Sequence, residues 1–202
     1  MQNNRDIRDI IEIELQINES ISIKQMLLNA AYLEQISQIS KLIMEAFKRG
    51  SKLLLCGNGG SAADAQHIAG EFVARFEAER RALPAIALNA NSSSITAIGN
   101  DYAYEKVFSR QIDAFGLPGD VLLAISTSGN SKSILDAMGH AKLKSMHVTA
   151  MLGKGGGSCL KSADLAIVVP SERTSRIQEA HIMIGHIICS LVEKGLFDHI
   201  TR

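Results

Sequence analysis

The sequence predicts an α/β protein with a three-layer α-β-α architecture, in which helices cover both faces of an open, parallel, five-stranded sheet. Two observations indicate this fold class. Five short runs are apolar almost throughout, as expected for strands buried on both faces, and segments with helical character separate the runs. The runs are residues 53–56, 84–88, 121–125, 147–151 and 165–169. Such sheets bind ligands at the carboxyl ends of their strands, so we expect the functional residues there.

Extra helices are predicted ahead of the sheet. Residues 11–17 alternate between apolar and polar side chains, which is a strand pattern, but the isoleucines just before them have helical spacing and we expect a helix. An apolar stripe predicts helix from residue 22 to residue 49, ended by Gly50. We expect residues 1–50 to pack on the core and on neighbouring subunits, and residues 51–202 to form the main domain.

A glycine-rich turn follows the first strand. Gly57, Gly59 and Gly60 allow a sharp turn and a close approach to a ligand, and Ser61 is placed to cap a helix over residues 62–73. Unpaired amide N–H groups and the positive helix end then face the loop, which favours an anion. The pattern has neither the Walker lysine nor the spacing of the dinucleotide fingerprint. The alternative is an ordinary tight turn.

The segment after the second strand is predicted to be helical in two pieces. Asn91 or Ser92 can cap a short helix that ends before residues 99–101, where Gly-Asn-Asp breaks it. Residues 104–114 have the pattern of a second helix.

A hydroxyl-rich loop follows the third strand. It places four hydroxyls within six residues, ahead of a helix predicted over residues 134–143. The hydroxyls belong to Ser126, Thr127, Ser128 and Ser131. Hydroxyls, amide N–H groups and a helix dipole can hold a phosphate without Lys or Arg. A polar surface turn is the alternative, and four hydroxyls after a fully apolar strand favour the phosphate.

The last part of the chain is predicted to contain a glycine-rich turn, a strand and a long helix. The turn spans residues 153–157, and Pro170 stops the fifth strand. Ser171 is placed to cap the last helix, which we expect to run to about Lys194.

Two pairs of polar side chains are candidate metal ligands. His67 and Glu71 are four residues apart on one predicted helix, and Gln178 and His186 are eight apart on the last helix, so each pair shares a face. Two imidazoles, a carboxylate and an amide oxygen can hold a divalent metal such as zinc. Because its surroundings are apolar, His186 has an alternative as a core histidine bonded to a backbone carbonyl. His181, in the same helix, is a further candidate. Spacing alone does not bring the two helices together.

The composition argues against nucleic-acid and membrane partners. Lys+Arg and Asp+Glu are both 21, so no basic field is present, and aromatic residues are 4% with no Trp, which disfavours base stacking. The charged N-terminus does not resemble a signal peptide, and no apolar run approaches the ~18 residues of a membrane span. The isolated Cys56, Cys159 and Cys189 suggest reduced thiols in a cytoplasmic protein.

From about residue 22 to residue 197 the chain resembles the sugar isomerase (SIS) family and, within it, the phosphoheptose isomerases. Five ordered motifs carry the resemblance. They are residues 56–61 (CGNGGS), Ala65-Gln-His67 with Glu71, residues 99–101 (GND), residues 119–131 (GDVLLAISTSGNS), and residues 176–181 (RIQEAH) with His186.

The resemblance implies a flavodoxin-like sheet and a homotetramer with sites at subunit interfaces. It also implies an aldose–ketose isomerase that converts sedoheptulose 7-phosphate to D-glycero-D-manno-heptose 7-phosphate through an enediol. That reaction is the first step toward the heptose of bacterial lipopolysaccharide or other glycans.

By motif match, the resemblance assigns roles to individual residues. The phosphate would be held by Ser126, Thr127, Ser128 and Ser131. Other substrate contacts would come from Asn58, Gly59, Gly60, Glu71, Asn100, Asp101 and Gln178. Zinc would be bound by His67, Glu71, Gln178 and His186. Glu71 would be the base for the carbon proton, and His186 the acid/base for the oxygen protons.

A non-catalytic SIS protein that binds the bacterial replication initiator is the main alternative. It shares the segments at residues 65–67, 83–89 and 176–178 but lacks counterparts of Glu71 and His186, which favours the enzyme here. A phosphosugar-sensing regulator ranks last, because the first ~50 residues show no helix-turn-helix and no basic patch.

Overall fold

The computed structural model describes residues 2–197, with side chains described from residue 7 onward. Residue 1 of the predicted N-terminal segment and residues 198–202 of the predicted main domain therefore lie outside it. A single 5-stranded parallel sheet has the strand order β2-β1-β3-β4-β5. The strands are β1 (Leu53–Gly57), β2 (Ala85–Ala87), β3 (Val121–Ser126), β4 (His147–Leu152) and β5 (Leu165–Val168). The predicted fold class and each predicted strand are confirmed, and the strand ends shift by one residue at most.

Helices cover both faces of this sheet. They are α1 (Gln2–Met26), α2 (Ala30–Lys48), α3 (Gly60–Val73), α4 (Ser92–Asp101), α5 (Ser109–Phe115), α6 (Lys132–Leu143), α7 (Gly157–Ser162) and α8 (Thr174–Phe197). Alternate residues of β1 point to opposite faces. Leu53 and Leu55 pack in the core formed with α2, α3 and α8, whereas Leu54 and Cys56 pack in the core formed with α5, α6 and α7.

The N-terminal segment forms two helices, where residues 22–49 were expected to be continuous. Residues 11–17 are helical, as expected, but the helix is interrupted between Met26 and Ala30. Asn29 caps α2, because its Oδ1 accepts the N–H of Ala31 at 3.0 Å. The apolar pattern continues through the interruption, so the sequence pattern alone did not predict it.

Two expected serine caps are wrong. Ser61 lies inside α3 and is buried, and Gly59 occupies the N-cap position with a φ of 55°. A positive φ at that position suits glycine, which has no side chain to cap the helix. The Oγ of Ser171 accepts the N–H of Arg173 at 3.1 Å, ahead of the start of α8 at Thr174.

The segment between β2 and β3 also differs from expectation. Asn91 caps α4 as predicted, accepting the N–H of Ser94 at 3.0 Å, but α4 continues through residues 99–101 to Asp101. Residues 104–114 do not form one helix: a 3-10 turn at Tyr104–Lys106 precedes α5. Glycine inside a helix costs only ~1 kcal/mol, so the Gly-Asn-Asp sequence did not stop α4.

Helix α1 leaves much of its apolar surface uncovered. It packs against α8, yet Ile10 and Ile13 are 63% and 58% exposed. Isolated exposed isoleucines are ordinary on a protein surface, whereas several along one helix form a larger apolar patch. The expected packing of this helix on a neighbouring subunit stays a prediction.

Helix α8 corrects the expectation that no segment approaches a membrane span. By length and composition it is apolar enough to cross a membrane. In this fold it packs against α2 and α3, and Ile184 and Ile188 are fully buried in the core. The core helix of a soluble protein can be equally long and apolar.

Candidate active site

Neighbouring strands bring the two polar loops together at one edge of the sheet. The register pairs Gly57 of β1 with Ile125 of β3, so the turn into α3 and the loop into α6 begin side by side. Gly57 has no room for a side chain, since a Cβ would lie 2.3 Å from the carbonyl oxygen of Ser61. Close backbone packing therefore explains the first glycine of this turn.

The four hydroxyl residues at the end of β3 and in the loop that follows it line a small cavity of about 110 Å³. Its walls are Asn58, Ser61, Ile125, Ser126, Thr127, Ser128 and Ser131. A volume several times the ~30 Å³ share of one water molecule leaves room for a tetrahedral anion. Ser131 is the N-cap residue of α6, yet its side chain makes no capping bond. Because this side chain does not cap them, the first N–H groups of α6 are available to a ligand.

The loop that carries these hydroxyls is braced by the glycine-rich turn before α7. Gly129 has a φ of +64°, and a Cβ there would lie 2.1 Å from the carbonyl oxygen of Gly156. The Oδ1 of Asn130 accepts the N–H of Ser158 at 2.9 Å. These contacts between the two loops restrict the conformation of the loop that lines the cavity.

Asn58 lies between the cavity and a tyrosine that the sequence did not single out. Its Oδ1 accepts the hydroxyl of Tyr104 at 2.7 Å, and its Nδ2 donates to Ser131 at 2.9 Å and to Ser133 at 3.0 Å. The amide is thus engaged at both ends. Tyr104 and Ser133 carried no signal in the sequence, because their role depends on how α6 and the 3-10 turn pack.

A second cluster joins α3 to α8. The Nε2 of His67 lies 3.1 Å from Oε1 of Glu71 and 2.9 Å from Nε2 of His186. The three side chains offer ligand atoms that all lie within 4.8 Å of one another. The predicted pairing on α3 is confirmed, and the fold supplies the contact between helices that spacing alone left open.

The donor set of this cluster fits a divalent metal. Two imidazole nitrogens and a carboxylate oxygen are typical zinc ligands, and at ~2.0–2.1 Å from a tetrahedral ion two nitrogens lie about 3.4 Å apart. The observed 2.9 Å between the two Nε2 atoms is about 0.5 Å shorter, so the two rings would move slightly apart around an ion. His67, Glu71 and His186 therefore form a group that could hold a metal ion.

A buried ion pair fixes the chain beside this cluster. Glu193 of α8 accepts the N–H groups of Phe76, Glu77 and Ala78 at 3.1, 2.8 and 2.8 Å, and the Nε of Arg80 at 2.8 Å. The side chains of Arg80 and Glu193 are only 1% and 4% exposed. This Arg80–Glu193 clamp ties the segment after α3 to α8.

The clamp also reaches the cluster itself. Arg80 donates to the carbonyl oxygen of Glu71 at 2.8 Å, which holds the end of α3. Phe76 stacks on the ring of His186 with 5.8 Å between ring centroids. Neither Arg80 nor Glu193 stood out in the sequence, because a single charge in an amphipathic stretch usually faces solvent.

Three other predicted site residues belong neither to the cavity lining nor to the His67–Glu71–His186 cluster of the same chain. The amide of Gln178 packs against Gly60, where a Cβ would lie 2.1 Å from its Nε2. Asn100 and Asp101 are exposed at the end of α4, and Asn100 donates to Asp101 at 2.8 Å. Neither lines the cavity. The predicted roles of Gln178, Asn100 and Asp101 therefore stay predictions.

Asp64 is an acidic residue on α3 that the sequence analysis missed. Its Oδ2 is buried and has no hydrogen-bond partner within residues 7–197. Burial raises the pKa of Asp64 to about 6, against the lowering effect of His67. This buried carboxyl group lies one turn before His67 on α3.

The core histidine of α8 is His181, not His186. His181 is fully buried, and its Nε2 contacts the carbonyl oxygen of Leu152 at 3.1 Å. Burial lowers the pKa of His181 to about 4, so its ring is neutral at ordinary pH. The core role considered for His186 belongs to its neighbour, and His186 is free to serve the cluster.

Comparison with known proteins agrees with this geometry. A family model of the SIS domain matches residues 20–153. The phosphoheptose isomerase of Clostridium acetobutylicum is 55% identical over 186 residues, which cover 92% of this chain and 95% of that protein. The enzyme of the same name from Sulfurimonas denitrificans is 50% identical over 186 residues, with coverage of 92% and 95%.

Solved structures give the same result. A phosphoheptose isomerase from Francisella tularensis superimposes with a TM-score of 0.89 at 36% identity, covering 92% of this chain and 98% of that one. The phosphoheptose isomerase GmhA from Neisseria gonorrhoeae gives 0.86 at 40% identity, with coverage of 91% and 97%. The initiator-binding alternative is not favoured. The chain belongs to the SIS-domain family and, within it, to the phosphoheptose isomerases, which are aldose–ketose isomerases.

Proposed function

We propose that this isomerase converts sedoheptulose 7-phosphate to D-glycero-D-manno-heptose 7-phosphate through an enediol. The observation that carries the proposal is the meeting of Glu71 and His186, which come from different helices and lie within 4.8 Å together with His67. A carboxylate and an imidazole side by side are the two groups that such a proton transfer needs.

Glu71 is the proposed base for the carbon proton. Its contact with His67 uses Oε1, so Oε2 can take the proton from C1 of the ketose and return it to C2. His186 then moves a proton between the oxygens on C1 and C2. Phe76, stacked on His186, holds the imidazole plane and shields it from water. Each such group typically contributes ~10²–10⁴-fold to a rate.

The hydroxyl-lined cavity is the proposed phosphate site. Ser126, Thr127, Ser128 and Ser131 would donate to the phosphate oxygens, assisted by the N-terminal end of α6. Asn58, Gly59, Gly60, Asn100, Asp101 and Gln178 would contact the rest of the sugar, as the family resemblance implies.

His67, Glu71 and His186 would hold a divalent metal, proposed to be zinc. Gln178 would be a fourth ligand supplied by a neighbouring subunit, because within one chain its amide packs on Gly60 at the other end of α3. When bound, the ion supplies Lewis-acid stabilisation of charge on the sugar oxygens. His67 has no proton to move in this scheme. Its place beside both partners makes it a ligand and an orienting group for Glu71.

A complete site is proposed to need more than one subunit. Helix α3 is 14 residues long, about 21 Å at ~1.5 Å per residue, with Ser61 near its start and Glu71 near its end. Within one chain, the cavity and the cluster therefore lie at opposite ends of α3. A homotetramer with shared sites, assembled in part through the exposed face of α1, would bring the phosphate site of one chain to the cluster of another.

The protein is proposed to act in the cytoplasm, as the first enzyme on the route to the heptose of bacterial surface glycans. Cys56, Cys159 and Cys189 are all buried and free, which suits a reducing compartment. No nucleic acid and no membrane enters this proposal.

The test is incubation with sedoheptulose 7-phosphate in D₂O, followed by NMR. The proposal predicts an aldose product with deuterium at C2, because an enediol exchanges its proton with solvent. No aldose would refute the substrate, and aldose without deuterium would refute the enediol with a solvent-exchanging base.

A further inference from the structure

We infer that Tyr104 is a positioning residue for the phosphate, acting through Asn58 to aim the hydroxyl of Ser131 into the cavity. The inference rests on the proposed phosphate site and adds a residue to it. Tyr104 does not line the cavity, and its hydroxyl lies behind Asn58.

The first step is the orientation of the Asn58 amide. A carboxamide has an acceptor end and a donor end, and it can be turned so that either end faces the serines. The hydroxyl of Tyr104 lies 2.7 Å from Oδ1 of Asn58. A phenolic hydroxyl is a better donor than acceptor, because the ring withdraws its lone pair. Tyr104 therefore holds the oxygen end on its own side and turns the NH₂ group toward the cavity.

The second step is the state of the serine hydroxyls. The Nδ2 of Asn58 donates to Ser131 at 2.9 Å and to Ser133 at 3.0 Å, so both serines accept. Ser133 is buried, and its Oγ lies 3.2 Å from that of Ser131. Ser131 lines the cavity. Either hydroxyl can be the donor in the contact between Ser131 and Ser133, and when Ser133 donates, the proton of Ser131 is available to point at a ligand.

The third step is the chemistry of the ligand. Phosphate oxygens accept hydrogen bonds, so the site works only if its hydroxyls donate. With the amide reversed, Oδ1 would take the proton of Ser131 and leave a lone pair facing the anion. Donors arranged in a chain also polarise one another. Tyr104, Asn58 and Ser131 form such a chain, directed into the cavity.

The test compares Tyr104→Phe with a matched control, Tyr102→Phe. Both changes remove one hydroxyl from the same stretch, but the ring of Tyr102 packs on Arg110 with 3.9 Å from the guanidinium carbon to the ring centroid. Binding of inorganic phosphate is measured by calorimetry, and KM and kcat are measured with the sugar phosphate. Loss of one net hydrogen bond predicts about 3-fold to 10-fold weaker phosphate binding for Tyr104→Phe, with KM raised by the same factor and kcat within about twofold. The control should match the unaltered chain.

A double-mutant cycle shows whether Tyr104 acts through Ser131. In a Ser131→Ala background, Tyr104→Phe should cause no further loss of phosphate affinity, because the hydroxyl it orients is gone. Additive losses would overturn the relay.

Further outcomes separate this inference from the proposed function. Equal phosphate affinity in Tyr104→Phe and the unaltered chain overturns the inference alone. A lower thermal midpoint of the ligand-free variant with unchanged phosphate affinity assigns Tyr104 a structural role and overturns it as well. Absence of phosphate binding in the unaltered chain overturns it together with the phosphate site.

Discussion

The Nε2 atoms of His67 and His186 lie 2.9 Å apart although the residues are 119 positions apart in the chain. At that distance one ring can donate its N–H to the other, or both nitrogens can bind a common cation. Glu71 contacts His67 and completes the group. This contact between α3 and α8 turns two ordinary helical pairs into a candidate catalytic and metal-binding centre.

That cluster predicts metal binding that depends on both histidines. The unaltered chain should bind Zn²⁺ or a similar ion, and His67→Asn and His186→Asn should each weaken binding at least about tenfold, because each removes a ligand. Calorimetry with the chelated and reloaded protein measures the affinities. His140→Asn is the control, since that ring contacts Asp113 at 2.9 Å on α5. Affinities equal to that of the control in both variants would remove the metal site.

The Arg80–Glu193 clamp predicts a large loss of stability on substitution. Glu193→Gln leaves the guanidinium buried without its partner, and breaking such a pair costs about 3–5 kcal/mol. Denaturant unfolding measures this. The matched control is Glu77→Gln, because Glu77 is 59% exposed and lies 3.7 Å from Lys194, so its loss should cost less than ~1 kcal/mol. Similar losses in the two variants would contradict the clamp.

The same carboxylate predicts how stability depends on pH. Burial alone raises the pKa of Glu193, but hydrogen bonds from the N–H groups of Ala78, Glu77 and Phe76 and from Arg80 lower it below its usual value. A depressed folded-state pKa contributes stability that is present above the unfolded value, ~4.3, and is lost as the pH falls through the folded value.

The free energy of unfolding should therefore decline as the pH drops below about 4, and Glu193→Gln should decline less steeply. Unfolding curves between pH 3 and 7 measure both slopes. Parallel slopes for the two proteins would show that Glu193 does not titrate as described.

Replacing Gly60 with alanine is expected to lower activity while leaving the fold intact. A Cβ there meets the Nε2 of Gln178 at 2.1 Å, and that flexible side chain can move away. Gly60→Ala should therefore fold but lose activity, because Gln178 is displaced. Gly139→Ala is the control: nothing lies within 4 Å of its added Cβ, and alanine in a helix should stabilise by ~0.5–1 kcal/mol. Full kcat/KM in Gly60→Ala would show that the position of Gln178 does not matter.

The strands were predictable from sequence because their apolar runs are buried on both faces. Leu53 to Cys56 and Val121 to Ile125 are fully buried, and no polar pattern obscures them. The pairing of His67 with Glu71 followed from helical spacing. Contacts fixed by tertiary packing were not predictable, since no local pattern links residue 67 to residue 186 or Arg80 to Glu193.

Caps and breaks were the weakest expectations. Ser61 and Ser171 have the right residue type, but Gly59 occupies the position ahead of α3 with a positive φ, and Ser171 forms a local turn instead. Asn29 caps α2, but the apolar stripe continues across this position and gave no sign of a helix start. Residue type alone does not decide a cap when the backbone conformation is set by neighbouring packing.

The rate of aldose formation from sedoheptulose 7-phosphate in Glu71→Gln and His186→Asn tests the central claim most directly. Each change should lower kcat by about 10²–10⁴-fold and leave the assembly unchanged by light scattering, because each removes one proton-transfer group. Glu79→Gln is the matched control, since that side chain is 88% exposed and should keep full activity. A full rate in either Glu71→Gln or His186→Asn would contradict the account.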